Sequence, residues 1–129
     1  MELSTLLSIT PTYVAILGLL FIPFTARVAV YRIKTKINIG IGGDPEMERR
    51  MRGQANFVET VPIALFLLIS MELLGASDTW LHALGLTLVL ARISHYIGLT
   101  ELGPLFFRVI GIAATLGTII ISSIWILVK

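Results

Sequence analysis

Charges along this chain are confined to a few short stretches, and between them run four segments of nearly unbroken hydrocarbon. Residues 3–26 carry no charge, 53–71 carry only Glu59, 79–99 carry only Arg92, and 109–128 carry none. Each approaches the roughly 20 residues that a helix needs to cross a bilayer core, so the pattern predicts an all-α, integral membrane four-helix bundle. The expected spans are 8–33, 46–73, 78–99 and 105–128, within a single domain covering 1–129. Pro11 stands where the first helix can begin and Pro23 where a kink is expected, with the helix continuing through Val28, Val30 and Tyr31.

The polar breaks carry their own signals. The stretch "NIGIGGDPE" is a Gly-containing loop in which Asp44-Pro45, followed by Glu46 and Glu48, reads as a helix N-terminus. In "ELLGASD", Gly75 reads as a helix stop and Ser77 or Asp78 as the next N-cap. "GLTELGP" turns from the third helix into the fourth. The first residues, Met-Glu-Leu-Ser, lack the positive start of a cleaved signal peptide, and the apolar stretch behind them is longer than a signal core, so a retained first span is expected.

Composition agrees with the pattern. Hydrophobic residues make up 56% and charged residues 14%, against about 25% charged in an average soluble domain. A net charge of +2 is too slight to indicate nucleic-acid binding. The chain contains no cysteine, which excludes disulfides, thiolate metal sites and a cysteine nucleophile, so any sulfur chemistry must arrive with a ligand. His82 and His95 are too far apart in sequence to form a metal motif, and "GIGG" lacks the strand-to-helix setting of a phosphate loop.

The distribution of charge says more than its total. Arg27, Arg32, Lys34, Lys36, Arg49, Arg50 and Arg52 surround the first loop, and Arg92 and Arg108 flank the third, which leaves Lys129 for the other side. The positive-inside rule then predicts that loops 1 and 3 are cytoplasmic, with both termini and loop 2 outside. Lys34, Lys36, Arg49 and Arg50 are read as topology signals only. This arrangement puts Arg32, Arg52, Asn56, Glu59, Arg92, His95 and Arg108 in one layer near the cytoplasmic side, with almost nothing ionisable in the outer halves. Trp80, His82 and Trp125 are expected as anchors at the outer interface.

Helical phase tightens that layer. Arg52, Asn56 and Glu59 fall within roughly 60° of arc, and Arg92, His95 and Tyr96 form a similar stripe on the third helix. An ionisable group at such depth costs roughly 2.5–3.5 kcal/mol unless it faces a partner or a wet cavity. A ligand pocket is one solution; an interhelical hydrogen-bond cluster, including a Glu59–Arg92 pair, is the other.

The run "RGQANFVE" followed by Pro62, with "ARISHY" in the third helix, resembles the signature of the membrane-associated proteins in eicosanoid and glutathione metabolism, the MAPEG family, in its bacterial microsomal glutathione transferase-like form. That resemblance implies a homotrimer with glutathione bound between neighbouring subunits near the cytoplasmic side of a bacterial inner membrane. It further implies that Arg32, Arg52, Asn56, Glu59, Arg92, His95 and Tyr96 bind glutathione and that Arg108 is the catalytic arginine, stabilising the thiolate. The reaction implied is transfer of glutathione to lipophilic electrophiles, or reduction of lipid hydroperoxides. Leu99 stands where family enzymes often have a tyrosine, and Val109 where one branch has a serine. Ligand binding and catalysis are therefore separate expectations, the alternative being a non-enzymatic protein of the same fold that binds lipid or glutathione. A small multidrug transporter is disfavoured, because its membrane glutamate sits in the first helix and 3–26 has none.

Overall fold

The computed structural model describes residues 2–129; Met1, the first residue of the stretch read as leading into a retained span, lies outside the described residues. Five helices follow in order: α1 (Leu3–Leu6), α2 (Thr10–Thr35), α3 (Pro45–Leu73), α4 (Asp78–Leu99) and α5 (Leu105–Val128). Among the described residues there is no strand.

The separate short α1 was not expected from the hydropathy pattern, and Pro11 accounts for it. A proline ring clashes with the carbonyl four residues back and donates no N–H, which favours a fresh helix start near Pro11, and here the chain breaks between α1 and α2. The amides freed at the start of α2 would lack partners in a bilayer. Glu72, at the far end of α3, supplies them: its carboxylate accepts from the backbone N–H of Ser8, Ile9 and Thr10 at 2.7 Å each, and from the Thr10 hydroxyl. Further on, Pro23 and Pro62 lie inside α2 and α3 without ending them.

The loop before α3 turns through Gly40, Gly42 and Gly43, all at positive φ, where glycine meets no Cβ penalty. Asp44 then caps α3, accepting from the amides of Glu46 at 2.9 Å and Met47 at 3.2 Å, with Pro45 as first residue. Gly75, at φ +85°, turns the chain out of α3, and Ser77 caps α4.

The centre of the molecule is α4, which packs against α2, α3 and α5. Three helices, α2, α3 and α5, are long and apolar enough to cross a membrane. α4 falls outside that group although the sequence pattern treated it as a fourth span. The reason is composition: Asp78, His82, Arg92 and His95 leave α4 without a membrane-length stretch as apolar as those of the other three. Of its polar side chains, Arg92, His95 and Tyr96 are turned into the protein, at most 5% exposed. By contrast α5 is apolar over most of its surface and leaves Phe106, Ile120, Ile124 and Leu127 more than half exposed.

The helices gather their ends in two groups. Arg49 Nε lies 3.7 Å from Glu101, joining the start of α3 to the α4–α5 turn. At the opposite end Glu72 holds the start of α2, and the Tyr13 hydroxyl meets His82 Nδ1 at 2.8 Å. The expectation that this second end is almost free of ionisable groups is corrected by these contacts. His82 is tied to Tyr13, while Trp125 lies beneath the Lys129 ammonium at 5.1 Å and Trp80 is 46% exposed.

Candidate ligand site at the arginine-rich end

Arg52 and Glu59 occupy one outer stripe of α3. Their side chains meet at 3.7 Å and remain 52% and 56% exposed, an ion pair with little cover from its own chain. Beside them is a cleft of about 440 Å³ between α2 and α3, lined by Val28 and Arg32 from α2 and by Met51, Gln54, Ala55, Val58 and Glu59 from α3. Arg32 is fixed at its rim: Nη1 donates to the carbonyls of Ile37 at 3.1 Å and Gly40 at 3.0 Å, and Nη2 approaches the Met51 sulfur at 3.4 Å. Gln54 donates to the Thr25 hydroxyl at 3.3 Å.

Asn56 shares the stripe but faces inward. Its Oδ1 accepts from Arg92 Nη2 at 2.7 Å, and Arg92 Nη1 donates to Thr60 at 2.8 Å and Thr115 at 3.4 Å. The guanidinium, 1% exposed, thus ties α4 to α3 and α5 through neutral acceptors. The expected Glu59–Arg92 pair does not form. Helix phase explains why: Thr60 lies about 40° to one side of Asn56, toward α4, whereas Glu59 lies about 60° to the other.

His95 is buried against α5, with Nδ1 3.1 Å from the Arg108 backbone carbonyl. A carbonyl can only accept, so this contact assigns the proton to Nδ1; Nε2 is buried without a partner. The helices come close enough for this because Gly98 and Gly111 lack side chains: a Cβ on Gly98 would strike the Arg108 backbone, and one on Gly111 the backbone of Ala91 and His95. The Arg108 side chain points outward between exposed Phe107 and Val109, and forms no ion pair among the described residues. Tyr96 is in the core, stacked on Phe24 at 3.6 Å between ring centroids, and its hydroxyl accepts from Arg27 at 2.9 Å.

The structure therefore brings Arg32, Arg52 and Glu59 to one accessible face, with Asn56 half-buried beside them. Arg92, His95 and Tyr96 are buried behind that face, and Arg108, exposed on α5, is not among the residues that line the cleft. Sequence reading overlooked Thr60 and Thr115 as partners of Arg92, Gln54 in the cleft, and Arg27 on Tyr96. Thr60 had a usable signal, being one turn beyond Asn56 on the same side; Gln54 had none. Arg49 and Arg50, read as topology signals, grip Glu46 at 3.1 Å and 2.7 Å. Nearby, the Tyr31 hydroxyl donates to Asp44 at 2.8 Å and, together with the amides of Met47 and Glu46, holds that carboxyl below its usual range.

A guanidinium and a carboxylate on one accessible face suit a small zwitterion better than a purely anionic or apolar ligand. The sequence profile of the MAPEG family matches residues 10–128. The inner membrane protein YecN of Escherichia coli (strain K12) is 32% identical over 90 residues, covering 70% of this chain and 69% of its own length. YecN of Escherichia coli O6:H1 (strain CFT073) matches to the same extent.

Proposed function

The chain belongs to the MAPEG family and is a multi-pass membrane protein, and on that premise we propose that it binds glutathione at its arginine-rich end and activates the thiol for transfer to lipophilic electrophiles. The observation that carries this reading is the Arg52–Glu59 pair, more than half exposed beside the Arg32 cleft. Facing hydrocarbon, such a pair is costly, so a neighbouring subunit and a polar ligand are the natural cover. The proposed assembly is a homotrimer of four-helix bundles, α2 to α5, in a bacterial inner membrane, with the α2–α3 and α4–α5 connections cytoplasmic.

Glutathione offers two carboxylates, an ammonium and a thiol. In this reading Arg52 and Arg32 take carboxylates, Glu59 takes the ammonium, and Asn56 donates to the peptide or sulfur end. Arg92, His95 and Tyr96 support that face from behind. Arg108 of an adjacent subunit would reach the sulfur, since among the described residues it makes no ion pair within its own chain. A free thiol with a pKa of about 8.5 is mostly protonated at neutral pH, and an adjacent guanidinium favours the thiolate. The thiolate sulfur then bonds to an electrophilic carbon of a substrate arriving through the bilayer, and the electron pair leaves with a displaced anionic leaving group or, at an activated alkene, forms a carbanion that takes a proton from water. With a lipid hydroperoxide it takes the terminal oxygen as the O–O bond breaks, releasing the lipid alcohol and leaving a glutathione sulfenic acid, which a second glutathione converts to the disulfide with loss of water.

Calorimetric titration of glutathione into the detergent-purified protein tests the binding step. Saturable binding that weakens in Glu59→Ala supports it, and no binding removes it. The position of Arg108 outside the single-chain cleft also favours a second reading, a glutathione- or lipid-binding protein without turnover. Binding accompanied by no consumption of electrophile or hydroperoxide would establish that one instead.

A further inference from the structure

We infer that Arg92 is a positioning residue that sets the polarity of Asn56, holding its carbonyl oxygen inward so that the amide shows only N–H donors to the Arg52–Glu59 face. This rests on the glutathione-binding reading and gives Arg92 a place behind the site rather than in it.

The two ends of an asparagine amide look alike, but their neighbours distinguish them here. A guanidinium has donors and no acceptor, so the Asn56 atom that meets Arg92 Nη2 at 2.7 Å must be the oxygen. Arg92 is kept in place by Thr60 and Thr115, which hold its Nη1, while its Nε is buried without a partner among the described residues. Those hydroxyls are committed as well. Thr60 donates to the Asn56 backbone carbonyl at 2.8 Å and Thr115 to that of Gly111 at 2.8 Å, which leaves their oxygens to accept from the guanidinium.

With the oxygen fixed, the Asn56 nitrogen must point the other way. It makes no hydrogen bond among the described residues, and Asn56 is half-buried rather than enclosed. On the helix it lies about 40° from Arg52 and 60° from Glu59. The face therefore carries a pair of neutral donors suited to an acceptor group of glutathione, whether carbonyl, carboxylate or thiolate. A freely flipping amide would present an acceptor half the time.

Two variants separate this role from simple support of the fold. In Asn56→Asp the carboxylate still accepts from Arg92, so thermal stability is retained, but only acceptor oxygens remain and glutathione affinity falls roughly tenfold or more. In Thr60→Val the guanidinium loses one of the two hydroxyls on Nη1 but keeps Thr115 and the Asn56 oxygen, so stability falls while the amide keeps its orientation and affinity is unchanged. Both are read by thermal unfolding and glutathione calorimetry in the same detergent. A purely structural Arg92 predicts that affinity follows stability in both variants, and that pattern overturns the inference. Equal affinity in wild type and Asn56→Asp overturns it as well, while absence of binding in the wild type removes the functional reading on which it stands.

Discussion

Glu72 and Glu59 lie on the same helix in opposite circumstances: Glu72 accepts from the amides of Ser8, Ile9 and Thr10, whereas among the described residues Glu59 meets only Arg52, at 3.7 Å, and is 56% exposed. Glu72 completes a helix terminus that Pro11 leaves open, and its oxygens are already occupied by protein donors. Glu59 has capacity to spare, beside a cleft and another charge. An acid with its partners supplied is part of the architecture; one left largely uncovered at membrane depth implies something outside the chain to cover it.

The comparison breaks most visibly in stability. Glu72→Ala leaves the start of α2 without acceptors and should cost about 2–3 kcal/mol, lowering the thermal midpoint in detergent, with Glu72→Gln intermediate because one acceptor remains. Glu59→Ala should behave in the opposite way. Exposed ion pairs contribute at most about 1 kcal/mol, so its unfolding should be nearly that of the wild type, while glutathione affinity drops roughly tenfold. Equal destabilisation by both alanines would erase the distinction drawn between the two acids.

A smaller effect belongs to the cap of α3. Asp44 is held below its usual range by Tyr31 and the first amides of the helix. Its contribution to stability is therefore present above the unfolded value near pH 3.9 and is lost as pH falls through the lower folded value. In Tyr31→Phe the acid-induced loss of helix should begin at a higher pH, measurable by circular dichroism on acidification.

Legibility in the sequence divided along the same line. The Arg52, Asn56 and Glu59 stripe could be read because helix period and charge alone place it, and Asp44-Pro45 announced the start of α3 by local rules. The Glu72 cap could not: it joins residues more than sixty positions apart, and nothing near Glu72 hints that Pro11 has freed amides elsewhere. Arg92 was visible as a polar intrusion, but its partners Thr60 and Thr115 resemble ordinary helix residues until α3 and α5 are packed against α4. Spacing and family resemblance alone mark Arg108. Its outward direction depends on the close approach of α4 and α5 at Gly98 and Gly111, which hydropathy does not encode.

The most direct test of the account is the thiolate absorbance of bound glutathione, at about 240 nm, in the wild type and in Arg108→Ala at neutral pH. The account predicts a thiolate signal in the wild type and its loss in the variant, with the helical content of both unchanged. A thiolate signal of equal size in both proteins would contradict it.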